Sequence, residues 1–199
     1  MKTSYTKVTF FTVIAFQFFV IIFMLFQAHT IIGNNKIVKL KCNLYDPYNF
    51  MKGRYINLSF DIENEVLTNL KSIKNLSADD LNKRKRYPLY CILEEKDGYH
   101  HVVDASFEKP SNDVIFIKTK IYDIYSDQKI ILKLNFREYY LQEDHALEAE
   151  NILRNITENS LNPYLILAVG KDGKTAQKGF MINEMSIEKF IIDKTKKTQ

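Results

Sequence analysis

Asp46-Pro47-Tyr48-Asn49-Phe50-Met51-Lys52-Gly53-Arg54-Tyr55-Ile56-Asn57-Leu58-Ser59-Phe60 decides the fold, because turn chemistry runs there straight into a patterned strand. Pro47 presets its own φ and pushes Asp46 out of the α region. Gly53 enters left-handed backbone space at no steric cost, so a compact turn ends there. From Arg54 the side chains alternate, with Tyr55, Asn57 and Ser59 on one face and Ile56, Leu58 and Phe60 on the other. That is the period of a half-buried strand. It specifies structure and names no reaction.

Working outward, residues 37–42 alternate as a first strand, and residues 87–95, 99–107, 114–124, 129–136, 163–169 and 175–182 read as strands from β-branched and aromatic content. A last short strand is expected over 187–192, before a charged, frayed tail. Lys96-Asp97-Gly98 and Lys171-Asp172-Gly173 read as hairpin turns, and Ser126-Asp127-Gln128 as a further turn. Two helical excursions interrupt the strands. One covers 63–86, with Val66, Leu67, Leu70 and Ile73 at helical spacing and Ser77 as an N-cap; the other covers 144–156, with Ala149, Ile152, Leu153 and Ile156 in one stripe. Fourteen phenylalanines and twelve tyrosines without a tryptophan suit a sandwich or barrel-like core. The fold class is therefore mainly β: an antiparallel body behind an N-terminal transmembrane helix. Leu58-Ser59-Phe60, a helix, Pro88, a strand and Lys96-Asp97-Gly98 are echoed by Leu134-Asn135-Phe136, a helix, Pro163, a strand and Lys171-Asp172-Gly173, as if one strand-helix-hairpin unit were used twice.

Residues 8–26 are apolar except for Thr9, Thr12 and Gln17, and as a helix they span about 28 Å, enough to cross a bilayer. A cleaved signal peptide is the rival reading. Its apolar region is shorter and ends in a small-x-small site, which Gln27-Ala28-His29-Thr30 does not offer. The expected division is a cytoplasmic tail over 1–7, an anchor over 8–28, a linker with the first strand over 29–41, the β domain over 42–192 and a tail over 193–199. Lys2 and Lys7 precede the anchor and Lys36, Lys39 and Lys41 follow it, so charge alone does not orient it.

The stretch Gly53-Arg54-Tyr55-Ile56-Asn57-Leu58-Ser59-Phe60, behind the Asp46-Pro47 turn, resembles the GDYXXLXY family of membrane-anchored bacterial proteins. The family pattern is Gly-Asp-Tyr-x-x-Leu-x-Tyr. Phe60 replaces its last tyrosine, keeping the ring and losing a hydroxyl, and Arg54 reverses the charge of its aspartate. The resemblance continues at Phe136-Arg137-Glu138-Tyr139-Tyr140-Leu141-Gln142-Glu143, where Glu138, Tyr140 and Glu143 stand at family positions, and it covers roughly 42–183. It implies an N-terminus inside the cytoplasm, a body outside it, and a multi-pass membrane protein as partner, since family genes often neighbour such genes. No activity is established for the family, so none is inherited.

Little in the chain reads as catalytic. His100 and His101, adjacent in a strand, point to opposite faces and cannot chelate one ion, so they are expected at the surface; no metal site and no cofactor is predicted. Glu94-Glu95, Asp79-Asp80 and Glu143-Asp144 fit solvation and capping better than acid-base work. Lys83-Arg84-Lys85-Arg86 reads first as a solvated helix end and second as a contact for anionic headgroups or a polyanion. A net charge of +4 does not mark a nucleic-acid binder. Cys42 and Cys91 are either a disulfide across a long loop or two buried thiols. Across the sheet, Arg54 is expected to pair with Glu138. The leading functional expectation is an accessory, scaffold or binding module held at the bilayer by residues 8–28. An anchored envelope enzyme using Glu138 and Glu143, and a small-ligand or polyanion sensor, are the alternatives.

Overall fold

The computed structural model describes residues 2–33, 36–44, 55–64, 72–73, 76–124, 130–141 and 161–198. A long helix, α1 (Lys2–Ile32), leads into β1 (Ile37–Leu44), β2 (Tyr55–Phe60), α2 (Asp61–Asn64), α3 (Ala78–Arg84), β3 (Leu89–Lys96) and β4 (Tyr99–Ser106). Then follow β5 (Ile115–Thr119), β6 (Ile121–Ile124), β7 (Ile130–Leu132), β8 (Glu138–Tyr140), β9 (Pro163–Val169), β10 (Thr175–Ile182), β11 (Met185–Ser186) and α4 (Ile187–Thr198). The chain is mainly β, and every strand pairing among the described residues is antiparallel. One sheet runs β11-β10-β9-β1-β2-β8, a second β4-β3-β5, and β6 pairs with β7. Together they curl into a half-barrel around one core.

The strand after the turn forms as its alternation dictates, with Ile56, Leu58 and Phe60 at most 2 % exposed. Its partner is β1 over Cys42–Leu44, while the earlier part of β1 pairs with β9 over Ile37–Lys41. The first strand therefore belongs to the body and not to a linker, and Val38, Leu40 and Cys42 are fully buried. Residues 37–41 of β1 have no β2 beside them. There β4 comes alongside, and the Lys39 N–H donates to His100 Nδ1 at 3.3 Å. A buried ring nitrogen thus replaces a missing carbonyl of the ladder, satisfying a backbone donor that burial would make expensive to leave alone. His100, expected at the surface, is a core residue because its parity in β4 is that of Val102.

The two hairpins differ in their loops. Asp97 and Gly98 both take positive φ, giving the two-residue turn between Lys96 and Tyr99. The second hairpin closes between Val169 and Thr175, with Gly173 alone in left-handed space. In each, the second strand carries one extra residue five positions after the turn glycine, Val103 in β4 and Lys178 in β10. A third tight turn, Asn183-Glu184, joins β10 to β11.

Several expectations need correction. Residues 187–192 are not a strand: Ile187, Phe190 and Ile191 are buried at helical spacing, and the Lys189 N–H reaches Ser186 Oγ, so they open α4, which carries the supposed tail to Thr198. Residues 114–124 divide at Lys120 into β5 and β6, and of the described residues 130–136 the strand holds Ile130–Leu132. Within 63–86 the described helices are α2 and α3; the Ser77 cap is as expected, Ser77 accepting the Asp80 N–H while Asp80 accepts from Ser77. The α1 helix covers the expected cytoplasmic tail and reaches into the expected linker. The helix expected over 144–156 and the turn at 126–128 lie outside the described residues.

Candidate functional site

A cleft of about 730 Å³ opens where α1 meets the body. Its walls come from elements far apart in sequence. The corner between β5 and β6 supplies Lys118, Thr119 and Lys120, the bend after β7 supplies Lys133, Asn135 and Phe136, and β8 supplies Glu138 and Tyr140. Lys174, Thr175 and Gln177 come from the start of β10, and Ile31 from the end of α1.

The walls are tied by hydrogen bonds, so the lysines project from fixed backbone. Lys118 N–H donates to Gly173 O at 2.7 Å, fastening β5 to the turn before β10. Lys133 N–H donates to Lys120 O at 2.8 Å, and the buried Thr119 hydroxyl donates to Lys133 O at 2.7 Å. Gln177 Nε2 spans to the carbonyls of Phe136 (3.2 Å) and Glu138 (2.9 Å). The α1 end is held as well: Gly33 N–H closes its last turn on His29 O, and Lys36 reaches Asn112 O and, at 3.1 Å, Val114 O.

The charge in the cleft is lopsided. Lys118, Lys120, Lys133 and Lys174 face a single lining carboxylate, Glu138, so four positive charges less one negative leave about +3 among the described lining residues. Lys174 is steadied by Asp172 at 3.2 Å, and no described carboxylate pairs with Lys118, Lys120 or Lys133. Glu138 Oε2 accepts the Tyr140 hydroxyl at 2.9 Å, and that bond raises the Tyr140 pKa above its ordinary value of 10.0, keeping the phenol protonated. The site offers ammonium and amide donors to an anion.

Of the residues singled out in the sequence, Glu138 and Tyr140 reach this cleft. Tyr55 stands opposite Tyr140, with ring centroids 5.5 Å apart, while Leu58 and Phe60 are core and Phe60 meets Phe136 edge to face at 5.1 Å. Asp46, Pro47, Gly53, Arg54 and Glu143 lie outside the described residues. Glu138 is opposite Asn57 in the ladder. Among the described residues an ion pair joins Arg137, just before β8, to Glu63 in α2. Cys42 and Cys91 are free, buried thiols and no disulfide joins them; burial raises both, Cys91 to about 12. The basic run does not enter the cleft: Arg84 lies over Phe107 and Lys85 pairs with Asp123 at 2.9 Å. Among the described residues no group of His, Cys, Asp and Glu gathers as a metal site. Sequence reasoning missed the four lysines. The one local sign was Lys118-Thr119-Lys120, two outward lysines around an inward threonine.

The family model described as GDYXXLXY protein matches residues 17–179. The chain belongs to the GDYXXLXY family. No curated protein and no solved structure matches it. The match takes in both the β2 strand that carries the family's signature and every lining residue of the cleft, from Ile31 to Gln177. The α4 helix lies beyond it.

Proposed function

We propose that the protein is a membrane-anchored, extracytoplasmic accessory module that binds a partner or ligand at the membrane surface. The observation that carries this reading is the position of the cleft. The stretch Lys7–Ile31 is long and apolar enough to cross a bilayer, none of its most apolar window is buried against the body, and its last residue, Ile31, lines the cleft. A helix so exposed and so apolar needs lipid around it, and a cleft at its foot then opens at headgroup level. The orientation, N-terminus inside and body outside, rests on resemblance to the family's bacterial members, as does a multi-pass membrane protein as partner. An anchored enzyme has less support: Glu138 is exposed and engaged by Tyr140.

The test is extraction of the tagged full chain from its own membranes in mild detergent. A chain that resists alkaline carbonate, is digested only from the outer face and brings a stoichiometric membrane protein with it supports the reading. Release by carbonate removes the anchor, and digestion from the inner face reverses the topology.

A further inference from the structure

We propose that the lysine cleft at the foot of α1 is a binding site for a phosphate-bearing anion, of the kind carried by anionic lipid headgroups or by free phosphate. The inference rests on the anchored reading above for its first source and on the cleft's chemistry for both. Lys118, Lys120, Lys133 and Lys174 line the cleft from the β5–β6 corner, the end of β7 and the start of β10, where Glu138 is the one carboxylate among the described lining residues and Asp172 pairs with Lys174. Lys118, Lys120 and Lys133 have no described carboxylate partner, so a bound anion would supply the counter-charge that the lining lacks. They are not a solvated stripe on one strand, since the backbone bonds Lys118 N–H to Gly173 O and Lys133 N–H to Lys120 O bring three separate segments to one opening. Lysine ammoniums serve phosphate as point charges with three rotatable donors each, and the Asn135 amide at the same opening can hydrogen-bond a phosphate oxygen.

Size and place agree with this chemistry. A cavity of about 730 Å³ holds a headgroup with its glycerol, and Ile31 puts an apolar side chain at the opening, where acyl chains would begin. The exposed Tyr140 ring adds an amphipathic surface suited to the boundary between headgroup and water. The consecutive basic run at residues 83–86 is elsewhere on the body and takes no part.

The experiment uses the full chain in neutral detergent micelles, titrated in parallel with phosphatidylglycerol, phosphatidylcholine and inorganic phosphate, with binding read by native mass spectrometry and by the shift in thermal unfolding. Phosphatidylglycerol or inorganic phosphate should bind and phosphatidylcholine should not. Which of the two binds tells whether the phosphate comes from lipid or from solution. The double variant Lys118→Gln/Lys133→Gln should weaken binding about tenfold or more, each basic residue at an anionic surface being worth up to about fivefold. Lys109→Gln/Lys189→Gln removes the same charge from exposed positions outside the cleft and should leave binding unchanged. No binding of either anion by the wild-type chain overturns the proposal, as does equal weakening by the two double variants. Carbonate extraction of the same chain is scored separately, so an anchored chain that takes neither anion overturns the site and leaves the anchored module standing.

Discussion

Arg137 Nε donates to Glu63 Oε1 at 2.6 Å, and the other oxygen of that carboxylate accepts the Phe60 N–H at 3.3 Å. One glutamate, 6 % exposed, thus closes the end of the signature strand and ties it to the segment leading into β8, where the Leu58 N–H already donates to Arg137 O at 2.7 Å. Arg137 is half exposed and can rehydrate, whereas the Phe60 donor and the Glu63 carboxylate cannot. Glu63→Ala, which strands the amide, should therefore cost about 1 to 3 kcal/mol. Glu63→Gln keeps an acceptor for the amide and should cost less. Arg137→Ala leaves the buried carboxylate without this partner and should cost at least as much as Glu63→Ala. Chemical denaturation of the three variants, followed by tyrosine fluorescence, checks the order.

Cys42 and Cys91 sit in the core as thiols, and desolvation raises both, so neither offers a thiolate at neutral pH. The folded chain should react with no equivalents of a thiol reagent, and the unfolded chain with both cysteines, without prior reduction. Mobility on a non-reducing gel should match that on a reducing one. A reducible mobility shift would mean that the bridge forms after all.

The strands were legible because their signal is local. Ile56, Leu58 and Phe60 alternate within six residues, and Asp97-Gly98 names its turn type by itself. At residues 187–192 the same rule misled, because a cluster of isoleucines and a phenylalanine fits either period until a partner surface decides, and β10 and β11 supplied a surface for a helix. The two hairpins share a bulge five residues after each turn glycine, while their loops close differently. The cleft was illegible for a different reason. Lys118 and Lys174 line one cleft where the Gly173 carbonyl accepts the Lys118 amide, a contact that no spacing along the chain encodes. The pairing of Arg137 with Glu63, one just before β8 and one in a four-residue helix, was likewise invisible, because the two stand 74 residues apart in the chain.

His100 should make the fold sensitive to acid. Burial lowers its pKa below the ordinary 6.5, with His101 and Lys39 acting the same way by charge, against the charge of Glu95, which favours the proton. The unfolded chain then takes up the proton first. The stability contributed by neutral His100 is present above pH 6.5 and is lost as pH falls through 6.5 toward the lowered value. Protonation also takes away the Nδ1 lone pair that accepts the Lys39 N–H. His100→Gln keeps an acceptor and does not titrate, so between pH 8 and pH 5 its melting temperature should fall less than that of the wild type. Parallel curves for the two chains would remove His100 from the acid response.

Gly98 and Gly173 take nearly the same backbone, φ +82° and +78°, yet a methyl group would meet different surroundings at each. At Gly98 nothing lies within 4 Å of the added carbon, so Gly98→Ala should cost only the left-handed backbone strain, about 1 to 2 kcal/mol. At Gly173 the added carbon would stand 2.7 Å from the Phe116 ring and 3.0 Å from Lys118 N. Phe116 is buried and cannot swing clear, so Gly173→Ala should carry the same strain and about 1 to 3 kcal/mol of overpacking besides. The clash also falls on the hydrogen bond that brings Lys118 to the cleft. If the lysines act together, Gly173→Ala should weaken anion binding even under conditions where the variant is fully folded, and Gly98→Ala should not. Equal binding by the two folded variants would show that the cleft does not depend on how the second hairpin is fastened to β5.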